Sequence, residues 1–412
     1  MQTRLQQTVR DTPEGEEAEA ILRKCVHCGF CNATCPTYQI LGDELDGPRG
    51  RIYLIKQMLE GHATSADTRT HLDRCLTCRN CETTCPAGVQ YGRLLETGRQ
   101  MVLKRNPRTL TEQAMRRALA AFLHNGILFT PVLRLGQVLQ PALPAALADH
   151  IPARRLAGGV WPRGQHPRKI ILLQGCVQPS MAPNINRATA RVLDKAGIQT
   201  LRASGAQCCG AIRQHMDFDE LALKDARRNI DAWWPMIEAG AEAIVSNASG
   251  CGVALKEYGH RLRNDARYAQ KAERVSALSR DIAEIIEPVA RQLAQQARWP
   301  SPAGVAFHPP CTLQHGLQLR GKVEEILAAF GINASLPQDA HLCCGSAGTY
   351  SLFQPDLART LRDDKCRALV KTGAACIATA NIGCLAHLQN GTAMPVLHWI
   401  EIIDSMICGT AI

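Results

Sequence analysis

The feature that most constrains this chain is a four-cysteine pattern that occurs twice. The first copy, C-V-H-C-G-F-C-N-A-T-C-P, places Cys25, Cys28, Cys31 and Cys35 ahead of Pro36. The second, C-L-T-C-R-N-C-E-T-T-C-P, places Cys75, Cys78, Cys81 and Cys85 ahead of Pro86. Both read C-x2-C-x2-C-x3-C-P, the ferredoxin spacing for a pair of [4Fe–4S] cubes. Two-residue gaps let three thiolates converge on one face of a cluster from a tight turn, and the fourth cysteine of such a run reaches across to the other cluster. The expected ligand sets are therefore Cys25, Cys28, Cys31 and Cys85 for one cube, and Cys75, Cys78, Cys81 and Cys35 for the other. Structural zinc also uses C-x2-C pairs, but a four-ligand zinc site has no use for a third cysteine and a Cys-Pro in the same run.

The 19 cysteines are many and odd in number, a set that an oxidising compartment would scramble. The first residues, M-Q-T-R-L-Q-Q-T-V-R-D, contain no apolar signal region, so a cytoplasmic location with reduced or metal-bound thiols is expected. No run of 18 apolar residues is present, so no membrane-spanning helix is expected. The most apolar stretch, Ala118 to Leu147, is interrupted by Pro131, Arg134, Pro141 and Pro144. It reads as a connector packed on its own protein, with a membrane-surface or partner-binding segment as the alternative. The formal charge of +10 counts ligand cysteines as neutral; two oxidised cubes at about −2 each bring it nearer to about +6. Arg154, Arg155, Arg163, Arg168 and Lys169 crowd one Pro/Gly-rich stretch, either a solvated linker or a contact for anionic lipid or an acidic partner. No basic–aromatic interleaving accompanies these charges, so nucleic acid is not an expected partner.

Four segments follow from composition and pattern. Residues 1–107 form the two-cluster segment, with helices expected over 14–24, 51–60 and 93–104 from acidic starts, basic ends and apolar spacing. Inserted helices of this kind point to a mostly α-helical ferredoxin domain. Residues 108–167 lack cysteine and accumulate proline and basic residues, marking a helical, Pro-rich connector. Residues 168–290 and 300–412 then repeat one another. R-K-I-I-L-L-Q-G-C ends on Cys176 and G-V-A-F-H-P-P-C on Cys311, 135 positions later; Q-C-C-G at Cys208–Cys209 and L-C-C-G at Cys343–Cys344 keep that offset. G-A-E-A-I-V-S-N-A-S-G-C, ending on Cys251, matches G-A-A-C-I-A-T-A-N-I-G-C, ending on Cys384. Short apolar strands alternating with helices imply a duplicated, Rossmann-like α/β unit, its cysteines at the carboxyl ends of strands where such sheets bind ligands.

The eight aligned cysteines of the repeats, Cys176, Cys208, Cys209, Cys251, Cys311, Cys343, Cys344 and Cys384, leave two readings open. They are buried apolar thiols inherited by duplication, or they hold at least one further cluster of unusual geometry, since adjacent cysteines point apart on an extended chain. Cys366, Cys376 and Cys408 have no repeat partner and read as core thiols. His27, His308, His315 and His341 flank cysteines but are assigned no ligand role, because a histidine beside a cluster more often tunes or packs than ligates. No glycine-rich phosphate loop, FAD signature or nucleophile elbow is present. Several one-electron centres without a two-electron cofactor describe an electron conduit whose hard chemistry sits on a partner.

The motifs together resemble the CCG-domain iron–sulfur proteins, which include heterodisulfide reductase subunits, the C subunit of anaerobic glycerol-3-phosphate dehydrogenase, lactate-utilisation proteins and glycolate oxidase iron–sulfur subunits. The resemblance is strongest to the last group. It rests on the two cysteine runs, on L-G-D-E-L-D-G-P-R-G-R-I-Y-L-I-K-Q, on R-N-I-D-A-W-W-P around Trp233–Trp234, on A-S-G-C-G and on H-L-C-C-G-S-A-G-T-Y. It implies an electron-transfer subunit of a flavin-dependent glycolate dehydrogenase. FAD-binding partner subunits would oxidise glycolate to glyoxylate, and this chain would pass electrons to a membrane acceptor such as quinone from the cytoplasmic face of the inner membrane. An equivalent subunit for lactate or glycerol-3-phosphate, or a heterodisulfide-reductase-like thiol–disulfide subunit, is the alternative. Some relatives close each repeat with C-x-x-C and hold a non-cubane cluster on five cysteines. Here Ala248 and Asn381 occupy the first position of that pair, which counts against both a non-cubane cluster and thiol–disulfide catalysis.

Overall fold

The computed structural model describes residues 1–144, 151–156 and 158–410. Its first hundred residues are helical, with no strand among them. Pro13–Lys24, Pro48–Leu59 and Tyr91–Arg105 pack around Leu22, Ile55, Met58, Leu59, Leu94 and Leu95, all fully buried. The second helix begins three residues before the expected Arg51. Pro48 explains this: its fixed φ and missing N–H suit the first helical position. The Thr12 hydroxyl accepts from Gly15 N at 3.1 Å and caps the first helix.

The connector is two helices, Leu110–His124 and Gly126–Leu139, set at 93°. Asn125 makes the corner, its Oδ1 accepting from Ile127 N at 3.0 Å and thereby capping the second helix. The expectation that this stretch packs on its own protein holds for one face only. Phe129 and Leu133 are buried, whereas Ile127 is 86% and Val138 73% exposed. Residues 145–147 of the apolar stretch lie outside the described residues. The basic stretch is also less free than its sequence suggests. Arg155 donates to Val396 O at 2.6 Å, and Arg168, itself exposed, pairs with Glu242 at 3.0 Å; Arg154, Arg163 and Lys169 are exposed as well.

The remainder is built on two parallel sheets. In the first, strands β1 (Arg168–Leu172), β2 (Ile198–Leu201), β3 (Ala243–Ser246) and β4 (Ser279–Asp281) lie in the order β2-β1-β3-β4. In the second, β5 (Val305–His308), β6 (Cys376–Thr379) and β7 (Val396–His398) run β5-β6-β7. The counterpart of β2 shrinks to one parallel bridge, Ser335 to Ala306. The extended segment expected after F-G-I is thus a single residue long, with Pro337 two residues on, where it has no N–H for a ladder. The two halves are not separate bodies: one hydrophobic core includes Ile170 and Val245 from the first sheet and Phe307 and Ile377 from the second. The last helix, Trp399–Cys408, closes over the first repeat's Asn184–Lys195, where Arg191 donates to Asp404 at 2.8 Å and Asn184 to Glu401 at 3.0 Å.

Candidate metal centres

The two ferredoxin runs adopt one backbone shape fifty residues apart. His27 and Gly29 in the first, and Thr77 and Arg79 in the second, all have φ between 53° and 86°. These left-handed residues curl each C-x2-C-x2-C segment into a loop before short helices at Phe30–Ala33 and Asn80–Thr84. Arg79 holds a conformation costly for a side-chain-bearing residue, and its guanidinium is fixed by Glu257 of the first repeat at 2.8 Å.

The loops bring the eight cysteines into two groups. Cys25, Cys28, Cys31 and Cys85 line one small cavity, with Cys81 at its wall. Cys35, Cys75, Cys78 and Cys81 line the other. Each therefore gathers three thiols from one run and the fourth from the other. Neither cavity is lined by a carboxylate, and Tyr91 faces both. Soft thiols in an apolar wall suit iron–sulfur cubes rather than hard cations. Burial, then neighbouring Cys25, pushes the Cys31 thiol up to about 11; burial likewise raises Cys78, with Cys311 next in effect. Metal binding at such a group must release protons. The second cavity is lined by a buried cation, Arg51, 1% exposed. It donates to His71 O at 2.7 Å, Thr37 Oγ1 at 3.1 Å and Asp46 Oδ1 at 3.3 Å.

The repeat cysteines also gather at strand ends. In C-C-G, Gly210 and Gly345 have φ of 90° and 89°, and their amides donate to Cys208 Sγ and Cys343 Sγ at the same 3.4 Å. A Cβ on Gly345 would stand 2.6 Å from Ala358 O, so only glycine fits. Cys311 Sγ and Cys343 Sγ are 3.7 Å apart. In the first repeat a hydrogen bond between Cys176 and Cys208 holds the former thiol high and the latter low. Cys176, Cys209 and Cys251 of one repeat, and Cys311, Cys343, Cys344 and Cys384 of the other, line a single chamber of about 770 Å³. The ferredoxin residues Arg79 and Arg99 and the connector residues Phe129 and Leu133 complete its wall. Cys78 and Cys311 pack against the cluster of buried residues that holds Cys343, so the second ferredoxin cavity abuts the second repeat. Across that junction Asn80 donates to His341 O at 3.2 Å, and Thr83 shares a 2.8 Å hydrogen bond with His315.

Comparison with known proteins accounts for this arrangement. A "4Fe-4S dicluster domain" family matches residues 21–89, and a "Cysteine-rich domain" family, CCG, matches 170–256 and again 305–389. Over 409 residues the chain is 50% identical to the glycolate oxidase iron–sulfur subunit of Escherichia coli K12, covering 99% of each. The chain belongs to the glycolate oxidase iron–sulfur subunit family. The probable glycolate oxidase iron–sulfur subunit of Bacillus subtilis is 28% identical over 90% of this chain and 89% of its own. A crystal structure of a hypothetical protein from Helicobacter pylori shares the fold, with a TM-score of 0.53 at 10% identity over 98% of this chain and 74% of that one.

A member of the glycolate oxidase iron–sulfur subunit family is an iron–sulfur component of an oxidoreductase, and several of its site residues escape sequence reasoning. Arg51 lies in the quoted P-R-G-R segment, but its burial against the cysteines depends on His71 and Asp46. Tyr91 follows the second run by six positions, without a spacing signal. Lys365, 4% exposed, donates to Asp339 O at 2.6 Å beside Cys343 and Cys344. His308, at the end of β5, is 1% exposed, and burial pushes its imidazole down to about 3.

Proposed function

We infer that this chain is the electron-transferring subunit of a glycolate-oxidising complex. Partner subunits carrying FAD would take the hydride from glycolate, and electrons would leave for a membrane acceptor such as quinone. The observation that carries this reading is the 50% identity over 99% of both chains to a glycolate oxidase iron–sulfur subunit. Bound to Cys25, Cys28, Cys31 and Cys85, and to Cys35, Cys75, Cys78 and Cys81, two [4Fe–4S] cubes would supply reversible one-electron transfer. The chain's own residues set the order of the path. Cys28 is exposed, and Val26 and Phe30 beside it are 70% and 61% exposed, an apolar rim suited to docking a flavin subunit. Cys81 and Tyr91 separate the first cavity from the second, and Cys78 leads on to Cys311.

The test is reconstitution. The chain alone should oxidise no 2-hydroxy acid, because it offers no hydride acceptor. Added to its flavin partners, it should restore glycolate oxidation coupled to an artificial acceptor. Lactate and glycerol-3-phosphate belong in the same screen, and faster turnover of either would replace glycolate as the substrate. Glycolate turnover by this chain alone, free of flavin, would overturn the reading.

A further inference from the structure

The duplication breaks at one buried position beside the cysteines. H-P-P-C at 308–311 aligns with L-Q-G-C at 173–176, so His308 stands where the first repeat has Leu173. Leu173 belongs to the apolar core around Ile171 and Trp233. His308 shares a 3.1 Å hydrogen bond between Nδ1 and Thr379 Oγ1, across the β5–β6 pair. Its Nε2 has no hydrogen-bond partner among the described residues. Buried polar atoms are rarely left so, and an unfilled metal coordination is one reason for it. A ring nitrogen of His308, Cys344 Sγ and Cys384 Sγ all lie within 4.8 Å of one another. A hydrogen bond on one ring nitrogen that leaves the other free toward the metal is how ligating histidines are held.

Two further departures from the first repeat surround the same place. Lys365 brings a buried positive charge toward Cys343 and Cys344, where the 135-residue offset places Ile230 in the first repeat. The chain after Cys311 winds as a π-helix, Thr312–Gly316, whereas the segment after Cys176 continues as an ordinary α-turn, Gln178–Met181. Single π turns in helical chain are frequent at functional sites.

We propose that the second repeat holds an iron–sulfur cluster on Cys311, Cys343, Cys344 and Cys384, with His308 Nε2 as a fifth donor in place of the cysteine absent at Asn381. A neutral imidazole in place of a thiolate leaves the cluster one negative charge short, and Lys365 acts in the same direction. Such a centre is easier to reduce than an all-thiolate one, as histidine ligation does elsewhere in iron–sulfur chemistry. It would lie next to Cys78 and so be the downhill neighbour of the second cube. The first repeat has Leu173 and Ile230 at these positions; the imidazole that does come near one of its cysteines, His124 beside Cys208, has its Nε2 engaged by Asp225 at 2.9 Å.

The assignment is independent of the substrate of the complex and is tested on the full-length chain. Protein grown with 15N-labelled histidine is purified anaerobically and examined by pulsed EPR in the oxidation state that makes the repeat centre paramagnetic. The expected result is iron above the roughly eight atoms that two cubes need, and a directly coupled nitrogen whose splitting changes with the isotope. His308→Ala should abolish that coupling and leave the ferredoxin signals in place. His308→Cys should keep the iron and move the midpoint of this centre to lower potential. The proposal is overturned by iron no greater than two cubes require, by zinc in the second repeat, by no histidine nitrogen coupling in the labelled protein, or by coupling that survives His308→Ala. If His308→Ala does not fold, the labelled spectrum and His308→Cys still decide between these outcomes.

Discussion

Arg51 and Asp46 are each about 1% exposed, and the pair sits against the cavity lined by Cys35, Cys75, Cys78 and Cys81. Removing one partner of a buried pair leaves the other uncompensated, at a cost of about 3–5 kcal/mol. Arg74 still reaches Asp46 Oδ2 at 2.8 Å, so the lower end applies. Arg51→Leu should therefore destabilise the ferredoxin domain by about 3 kcal/mol, seen as earlier loss of the visible cluster absorbance on heating. It should also lower the midpoint of the second cube, because a nearby positive charge that favours the reduced form is gone. An unchanged midpoint would mean that Arg51 serves only the fold. The crossed ligand sets lead to a sharper expectation. Cys85→Ser should damage the centre held by Cys25, Cys28 and Cys31, and Cys35→Ser the centre held by Cys75, Cys78 and Cys81. EPR of the reduced variants resolves the two centres, and a Cys35→Ser protein that has lost only the first signal would reverse the wiring. The thiol spacing alone leads to this crossed expectation. The role of Arg51 was not legible, because its acceptors on Thr37, Asp46 and His71 come from three separate segments.

At the scale of elements, strands of four or five residues were legible and the shortest were not. β1, β3, β5 and β6 follow from R-K-I-I-L, A-I-V-S, V-A-F-H and C-I-A-T. β4 and β7 have three residues each, too few for a period of two to register. Their signal lies one step further on, in matched capping boxes: Asp281 with Glu284, and His398 with Glu401. The Asp281 box has a pH signature. Its Oδ1 accepts from Ala283 N at 2.9 Å, while its Oδ2 has no partner among the described residues. Burial pushes its carboxyl up to about 7, against about 3.9 in an unfolded chain. The folded state therefore binds the proton more tightly, and this group lowers stability as pH rises from about 4 to about 7. Asp281→Asn keeps an acceptor for Ala283 and has no charge to bury. The variant should match the parent in unfolding midpoint near pH 5 more closely than at pH 8, where it should be the more stable. Comparing the two proteins at each pH cancels the acid lability of the clusters. A difference independent of pH would show that Asp281 is solvated or paired when ionised.

Across the whole molecule, the parts that composition separates are the parts that the fold interlocks. The connector begins as a composition boundary in the sequence, yet Phe129 and Leu133 wall the chamber where both repeats present their cysteines. The two repeats share a core, and the last helix of the second lies on the first. None of this follows from local pattern, because the residues that meet are far apart in sequence: Arg79 and Glu257 are separated by 178 positions. The outer face of the connector is then the surface whose use remains to be tested. No single described helix is long and apolar enough to span a membrane, although the helix pair from Leu110 to Ala142 passes the same criterion across its 93° bend. Ile127, Leu135 and Val138 are exposed on the second helix, and Arg154 and Arg163 are exposed later in the connector, an apolar-plus-basic combination that suits shallow seating on anionic lipid. We expect peripheral attachment. Carbonate or high salt should release the assembled complex from membranes without detergent, and binding to anionic vesicles should exceed binding to neutral ones. Ile127→Asp with Val138→Asp should weaken vesicle binding at least tenfold while leaving iron content unchanged, since neither side chain lines a cysteine cavity. Arg154→Gln with Arg163→Gln should flatten the salt dependence and weaken binding less, because polar–ionic contacts at the surface are screened within about 8 Å at physiological salt. Extraction by detergent alone would instead require the bent helix pair to enter the hydrocarbon, and attachment unaffected by either double substitution would move the membrane contact onto the flavin partners.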